Sequence, residues 1–276
     1  MKLTDAQLLE VYDRQVRREC EWTRMRREVQ PNVVRHVLEG VGHGGGLVSW
    51  SALTPENADG EIAAQVAYFR SLNGEFEWKY YTHDQPPELP QRLLAHGFTT
   101  EEELDSIMVA EMPALPPEYW TIDVSPVSRI TTPEGVDAIV RMELEVWQEE
   151  VSGFAPGMKY DLEQHPDRLS VFAVWDGGRV VSAAWTHYLV PTSFATFWGG
   201  STLKEYRKRG YYTALLAVRA REARERGYKF LQVDASPESR PILQKHGFRC
   251  VTLSTPYVWK PQGGGELIFP SLDQQS

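Results

Sequence analysis

Apolar positions along the chain switch between two spacings, and each switch marks an element. Leu8, Val11, Tyr12 and Val16 recur at helical spacing behind Thr4 and Gln7, a reciprocal capping pair. The apolar runs 33–38 and 47–53 read as strands, 62–72 as a helix, and 76–81 as an aromatic strand. A short helix over 89–98 and a strand over 104–112 close this first series. The stretch 113–126 carries Pro113, Pro116, Pro117 and Pro126 without any periodicity, and reads as a linker.

A second series follows. Thr132 and Pro133 open a helix whose inward face is Val136, Ile139, Val140 and Leu144. Polar residues with glycine and proline over 147–157 read as a loop. Runs 169–175 and 180–188 flank Asp176-Gly177-Gly178, a hairpin signal, and 195–202 continues the antiparallel series. A helix from Tyr212 turns Tyr212, Leu215, Leu216, Ala220 and Ala223 inward, leaves Arg219, Arg221, Glu222, Arg224, Glu225 and Arg226 to water, and ends at Gly227. A strand over 230–235 comes next. The hexapeptide Leu93-Leu-Ala-His-Gly-Phe98 is echoed by Leu243-Gln-Lys-His-Gly-Phe248, 150 residues later, and each copy follows a strand. Such an echo points to a duplicated unit.

Composition narrows the class. The chain has 276 residues, 42% hydrophobic and 24% charged, ordinary for a globular protein of one or two domains. No apolar run reaches the ~20 residues that span a bilayer. The N-terminus lacks a signal-peptide core, and two distant cysteines, Cys20 and Cys250, form no metal-binding cluster, so the expectation is a cytoplasmic protein without a bound metal. A net charge of −9 argues against a nucleic-acid partner and mildly favours a cationic one. Arg14, Arg17, Arg18, Arg24, Arg26 and Arg27 are interleaved with Asp13, Glu19, Glu21 and Glu28, and read as a solvated helix face. His43 to Gly46 matches an oxyanion-hole run of lipases, but no Gly-x-Ser-x-Gly accompanies it, so 42–46 reads as a hairpin turn.

The stretch 195–216 carries the chemistry. An apolar strand passes through Arg207-Lys208-Arg209-Gly210 straight into a helix. A helix's first turn has unpaired N–H groups and the positive end of its dipole, and glycine lets the backbone approach an anion. Three basic side chains stand beside it. In outline this is a phosphate site.

Arg207-x-x-Gly210-x-Tyr212, with a strand before it and the Gly247-Phe248 corner after it, resembles the pyrophosphate loop of the GNAT superfamily of acyl-CoA-dependent N-acetyltransferases. That loop reads Gln/Arg-x-x-Gly-x-Gly/Ala, so Tyr212 is a departure. The resemblance covers roughly 130–261. It implies an α/β (α+β) architecture of tandem GNAT-like folds, each a mixed, mostly antiparallel sheet flanked by helices. The domains are then 1–112, a degenerate GNAT-like repeat; 113–126, the linker; and 127–276, the acetyl-CoA-binding unit. The repeat has Asn57-Ala-Asp-Gly60 where a basic loop would stand, and is expected to bind no CoA.

By the same resemblance, CoA lies where two strands splay. Thr202 and Leu203 offer backbone to its pantetheine; Arg207, Lys208, Arg209, Gly210, Tyr211, Tyr212 and Thr213 wrap the pyrophosphate; Ser236 stands where the family often has asparagine. Leu243 occupies the position of the family's usual acid, a tyrosine, and cannot donate a proton. Asp234, ending its strand, and His187, also near a strand end, are the candidates for the base, with Glu149 and Glu150 in the expected substrate loop behind them. The implied activity moves an acetyl group from acetyl-CoA to an amine of a small molecule or peptide by direct attack. Transfer of a different acyl group, and a non-catalytic acyl-CoA-binding module, are the alternatives. The partners expected are a small-molecule amine, no nucleic acid and no membrane, with room for a homodimer. Tandem aminoacyl-tRNA-dependent transferases of related fold need a basic face that the net charge speaks against.

Overall fold

The computed structural model describes residues 2–39, 45–100, 104–148 and 152–261. Helix α1 (Asp5–Tyr12) starts at Thr4, whose hydroxyl accepts from the Gln7 N–H while the Gln7 side chain accepts from the Thr4 N–H. Wider π-type turns continue it over Asp13–Glu19 and carry Val16 and Arg17 inward. Strands β1 (Met25–Val29), β2 (Val33–Leu38) and β3 (Gly46–Ser51) form an antiparallel meander. Helix α2 (Ala58–Ser71) then crosses over to β4 (Phe76–Tyr81), parallel to β3. Helix α3 (Leu89–Ala95) leads to β5 (Asp105–Glu111).

The order then repeats. Strand β6 (Val127–Ile130) precedes α4 (Pro133–Trp147) and α5 (Ala155–Gln164). Strands β7 (Leu169–Asp176), β8 (Arg179–Tyr188) and β9 (Phe194–Thr202) make the antiparallel series with β6. Helix α6 (Tyr211–Glu225) crosses over to β10 (Phe230–Ala235), parallel to β9, and α7 (Arg240–Lys245) leads to β11 (Arg249–Trp259). Each half is therefore a meander, a crossover helix onto a parallel strand, a short helix and a last strand. The Leu93 to Phe98 and Leu243 to Phe248 echoes both fall at that short helix and the turn after it.

All strands join one sheet in the order β1-β2-β3-β4-β11-β5-β10-β9-β8-β7-β6. The last strand of each half is inserted in the other: β11 lies between β4 and β5, and β5 between β11 and β10. The two repeats exchange these strands, so 113–126 divides repeats in the sequence but not hydrogen-bonded units. That segment is also not an extended tether. Short 3-10 turns form at Met112–Ala114 and Pro117–Trp120, and Tyr119 is buried.

Two layers of helix cover the sheet. On one face α2 and α3 bury Ile62, Phe69, Leu89 and Leu93 against Phe76, Trp78 and Trp259, while α6 buries Leu216, Ala217 and Ala220 against Met108, Phe197 and Leu231. On the other face α1 covers Ile107, Val109 and Phe194, and α4 and α5 cover Val171, Ala183 and Trp185.

Several expectations give way. The basic stretch read as a helix face is a helix only to Glu19; Met25–Val29 is an edge strand paired to β2 alone, where charged side chains protect the open edge. Arg17 is only 2% exposed and is ion-paired rather than solvated. Residues Ala155–Gln164, inside or just past the expected loop, form α5. Helix α2 begins at Ala58, inside the stretch taken for an acidic loop. Arg219, expected in water, is 2% exposed. On α4 the buried face runs through Val136, Ile139 and Glu143, and Leu144 is 37% exposed. Much of the turn 42–46, Glu149, Glu150 and the tail at Gly263 lie outside the described residues.

Candidate functional site

The parallel pair β9–β10 is registered over only three residues, Phe194 to Thr196 against Phe230 to Gln232. Beyond them the strands part. A register shift at Ala183/Ala184 accompanies positive φ at Gly199 (63°) and Gly200 (108°), a bulge that bends β9 where it leaves its partner. Among the described residues no hydrogen bond crosses from β9 to β10 past this point.

The chain then takes a 3-10 turn at Lys204–Tyr206 and enters α6 through Gly210, the N-cap at φ +84°. A Cβ on Gly210 meets nothing within 4 Å, so the cap is open. No side chain caps α6, and its first intrahelical backbone bond is Ala214 to Gly210. The N–H groups of the first turn are thereby available to an anion. Arg207 donates from Nε to the Thr202 carbonyl at 3.1 Å, which pins the loop to the strand end. Arg209 lies over the Tyr206 ring at 4.7 Å and donates to the Glu205 carbonyl at 3.1 Å. Lys208 adopts φ +63°, a backbone state costly for a side chain with a Cβ. An open N-cap, a basic loop and an unpaired strand end thus meet at one place, an arrangement chemically suited to an anionic group.

The other residues singled out earlier lie around this opening. Thr202 is buried, its hydroxyl 2.7 Å from that of Ser182, and Leu203 is buried against α4. Tyr212 half-fills the α6 side, where a Cβ on Gly200 would stand 3.1 Å from its ring. Tyr211 and Thr213 are half-buried on the first turn of α6. Ser236 is buried and its hydroxyl accepts from the Ser239 N–H at 3.2 Å, capping the turn before α7. Leu243 is packed in the α6 core at 1% exposure.

The two residues chosen as base stand on the opposite face from α6. Asp234 pairs across the sheet with Ile107 and is ion-paired to Lys79 of β4 and bonded by the Gln232 amide. This pair joins the two halves over the exchanged strands. His187 stands edge-on to Trp22 and Trp198, at 6.2 and 5.6 Å between ring centroids. Burial, with Arg24 and Arg168 nearby, brings its imidazole down to about 4, so it is neutral but a weak base at pH 7. Beside it Phe154 stacks on Trp185 at 5.1 Å. Trp22 comes from the N-terminal half, so that half walls this side. Asp161 of α5 ties in as well, accepting from the Thr23 hydroxyl at 2.8 Å.

Two residues here escaped the sequence reading. Glu143 of α4 is 3% exposed, accepts from Trp147 Nε1 at 2.8 Å, and has its other oxygen buried with no partner among the described residues. Burial pushes its carboxyl up to about 7, with the nearby Ser201 and Trp147 acting in the lowering direction. The signal was present: 143 is four residues past Ile139 and seven past Val136, on the inward stripe. Arg219 is the other. Its guanidinium donates to the carbonyls of Leu215, Trp185 and Trp198 at 3.0–3.2 Å and stitches α6 to the bulge of β9. Its spacing alone, outside the apolar stripe, carries no sign of this.

The comparisons with known proteins agree with the geometry. Residues 137–248 match the family model for the acetyltransferase (GNAT) family, and the C-terminal half is a GNAT domain. The N-terminal half has a GNAT-like fold too, which makes the architecture a tandem one. A GCN5-related N-acetyltransferase from Kribbella flavida superposes with a TM-score of 0.63 at 14% identity, over 95% of each chain. A tandem GNAT protein from the clavulanic acid biosynthesis pathway, solved without acetyl-CoA, gives 0.55 at 11% identity over 85% of this chain and 80% of its own. A GCN5-related N-acetyltransferase from Sphaerobacter thermophilus gives 0.51 at 13%, over 86% and 79%. At such identities the likeness is one of fold. No curated protein matches the sequence. Among the described residues no helix is long and apolar enough to cross a membrane.

Proposed function

We propose that the C-terminal half binds acetyl-CoA in the β9–β10 opening and transfers its acetyl group to an amine held on the face lined by Trp22, His187 and Trp198. The observation that carries this reading is the parting of β9 and β10 just before an uncapped helix N-terminus flanked by Arg207, Lys208 and Arg209. A CoA thioester brings an acyl carbon already open to direct attack by an amine. The residues supply position and charge: loop cations and α6 N–H groups for the pyrophosphate, and free backbone of β9 for the pantetheine. The N-terminal half, lacking a basic loop, supplies the wall opposite.

Leu243 supplies no acid, but a CoA thiol has a pKa near 8.5, so the thiolate leaves tolerably without one. The test is acetyl-CoA titration by calorimetry, followed by a screen of amine acceptors with detection of released thiol. Binding and thiol release that depends on an amine support the reading. Binding with no release to any amine favours the non-catalytic alternative, to which the buried Leu243 and the ion-paired Asp234 lend weight. Absence of binding overturns both.

A further inference from the structure

We propose that Glu143 is the group that takes the proton from the attacking amine, held in place by Trp147 and standing beside Ser201; this rests on the reading of the β9–β10 opening as the acetyl-CoA site. Three observations carry it. Glu143 lies on the inward stripe of α4, a position that packing alone would fill with an apolar side chain; burying a carboxyl there is unfavourable unless its oxygens are bonded. One oxygen is bonded, to the Trp147 indole N–H at 2.8 Å, whereas the other is buried without a partner among the described residues. And its remaining neighbour, Ser201, stands on β9 immediately after the Gly199–Gly200 bulge, where the strand leaves β10. A buried carboxyl with one anchored oxygen and one without a described partner, beside the segment of β9 that leaves β10, is placed to receive a proton from a group bound in that opening.

The alternatives on the same face are less suited. Asp234 is taken by Lys79 and Gln232. His187 packs between tryptophans, and burial lowers its pKa to about 4. The elements packed on α4 carry other titratable groups, but these have partners elsewhere. On α5, Lys159 is paired with Asp137 and Asp161 is held by Thr23 and Arg24; on β8, Arg179 is paired with Glu145 and Glu205; β9 has none. Glu163 of α5 is exposed.

The step balances simply. The amine nitrogen bonds to the acyl carbon, the carbon–sulfur bond breaks with its electron pair on sulfur, and the nitrogen's proton passes to the free oxygen of Glu143. Products are the N-acetyl amine and CoA thiolate, and Glu143 releases its proton to water. A carboxyl of pKa about 7 is matched to an α-amine or other weakly basic amine, at ~7.7–8.0, far better than to a lysine-type amine at ~10.4.

The test uses the full chain. Carbon-detected NMR titration of glutamate carboxyls in the free protein is expected to show one group titrating near neutrality, absent in Glu143→Gln. That variant is expected to keep acetyl-CoA affinity within about threefold and to lose 10²–10⁴ in kcat, the range for a lost general base, together with the limb of the pH profile near neutrality. Asp234→Asn, whose carboxylate is taken up by Lys79 and Gln232, is the control and keeps that limb. Glu143→Gln at near-native turnover with unaltered binding overturns the assignment. So does a parallel loss of binding, which would mark a packing role that Glu143→Asp fails to correct. Failure of the acetyl-CoA reading itself is seen separately, in wild-type protein that binds no acetyl-CoA.

Discussion

The two repeats hold the same opening and fill it differently. In the C-terminal half β9 and β10 part after Thr196 and Gln232, and no described side chain bridges them. In the N-terminal half β3 and β4 part after Val48 and Trp78. There Arg17 spans the opening: its Nε donates to the Ser49 carbonyl of β3 at 3.1 Å, and its guanidinium lies 3.8 Å over the Tyr81 ring of β4. Asp84, at 2.8 and 2.9 Å, and Asp13, at 2.9 Å, neutralise it, and the Ser49 hydroxyl bonds back to the Arg17 carbonyl at 2.7 Å. Burial works against the Arg17 charge, but Asp84, Tyr81 and Asp13 outweigh it and raise its pKa. The helix ends differ in parallel. The first turn of α2 carries Asp59 and Glu61, and Asp59 is bound by Arg92 and His96; α6 is preceded by Arg207, Lys208 and Arg209. One strand–helix geometry is thus left open and positive in one half, and closed as an internal joint, plugged and negative, in the other.

The sharpest way to break this contrast is to remove the plug. Arg17→Leu leaves the Asp84 carboxylate buried without its partner, and losing one member of a buried pair costs about 3–5 kcal/mol. Urea unfolding monitored by tryptophan fluorescence should show a loss of that size, and the variant should gain no affinity for acetyl-CoA. A loss below ~1 kcal/mol would mean that Arg17 is a surface group after all.

Next in size is acid sensitivity. Burial brings His36, at 0% exposure in the N-terminal half, down to about 4, and no described residue bonds either ring nitrogen. The unfolded chain therefore binds this proton near ~6.5 and the folded one only near 4, so stability is lost as pH falls through that window. His36→Gln should remove up to about 3 kcal/mol of that loss at pH 4. His187, half-buried with its pKa also near 4, should contribute less because solvent reaches it. Equal effects in denaturation across pH 4–7 would erase this difference between the halves.

How much of this could be read beforehand divides along physical lines. Apolar strands and caps declared themselves: Phe76–Tyr81, the Thr132 cap, and the Asp176 hairpin fall where alternation and turn residues put them. The turn from the basic stretch into α6 was legible because it is a short local pattern, with Gly210 at the N-cap. Strand exchange was not, since nothing local in β5 or β11 selects one neighbouring strand over another. Edge strand β1 was hidden by its charges. Arg17 and Arg219 were misread, and Glu143 was passed over, because a charged side chain on a helix defaults to solvent, and only tertiary partners overturn that default. For Arg17 those partners, Ser49, Tyr81 and Asp84, lie 32 to 67 residues away.

On the open side, Gly210→Asp tests whether charge and backbone access define the site. The substitution is tolerated in φ > 0 better than most, since aspartate visits that region, so the fold should persist. Its carboxylate should repel the pyrophosphate and cut acetyl-CoA affinity about 100-fold at low salt, ~2.7 kcal/mol, and less at high salt. The matched change in the other half, Asn57→Asp at the N-cap of α2, should leave affinity alone. Unchanged affinity in a folded Gly210→Asp protein would remove the loop from the site.

The smallest effect concerns strain inside that loop. Lys208 sits at φ +63°, a state that costs a residue with a Cβ roughly 1–2 kcal/mol, partly offset in glycine by ~0.5–1 kcal/mol of chain entropy. Lys208→Gly should therefore stabilise the protein by about 0.5–1 kcal/mol in urea unfolding, while weakening acetyl-CoA binding by less than tenfold through the lost cation. Asn73, at φ +52° after α2, gives the internal control, because asparagine accepts that backbone and Asn73→Gly should change stability by only a few tenths of a kcal/mol. Among the described residues, the segment leading into α2 holds no non-glycine residue at positive φ, so of the two loops that enter a crossover helix only the one before α6 carries this strain. A Lys208→Gly protein no more stable than the parent, with affinity unchanged, would show that neither the backbone state nor the charge at 208 distinguishes the open half from the plugged one.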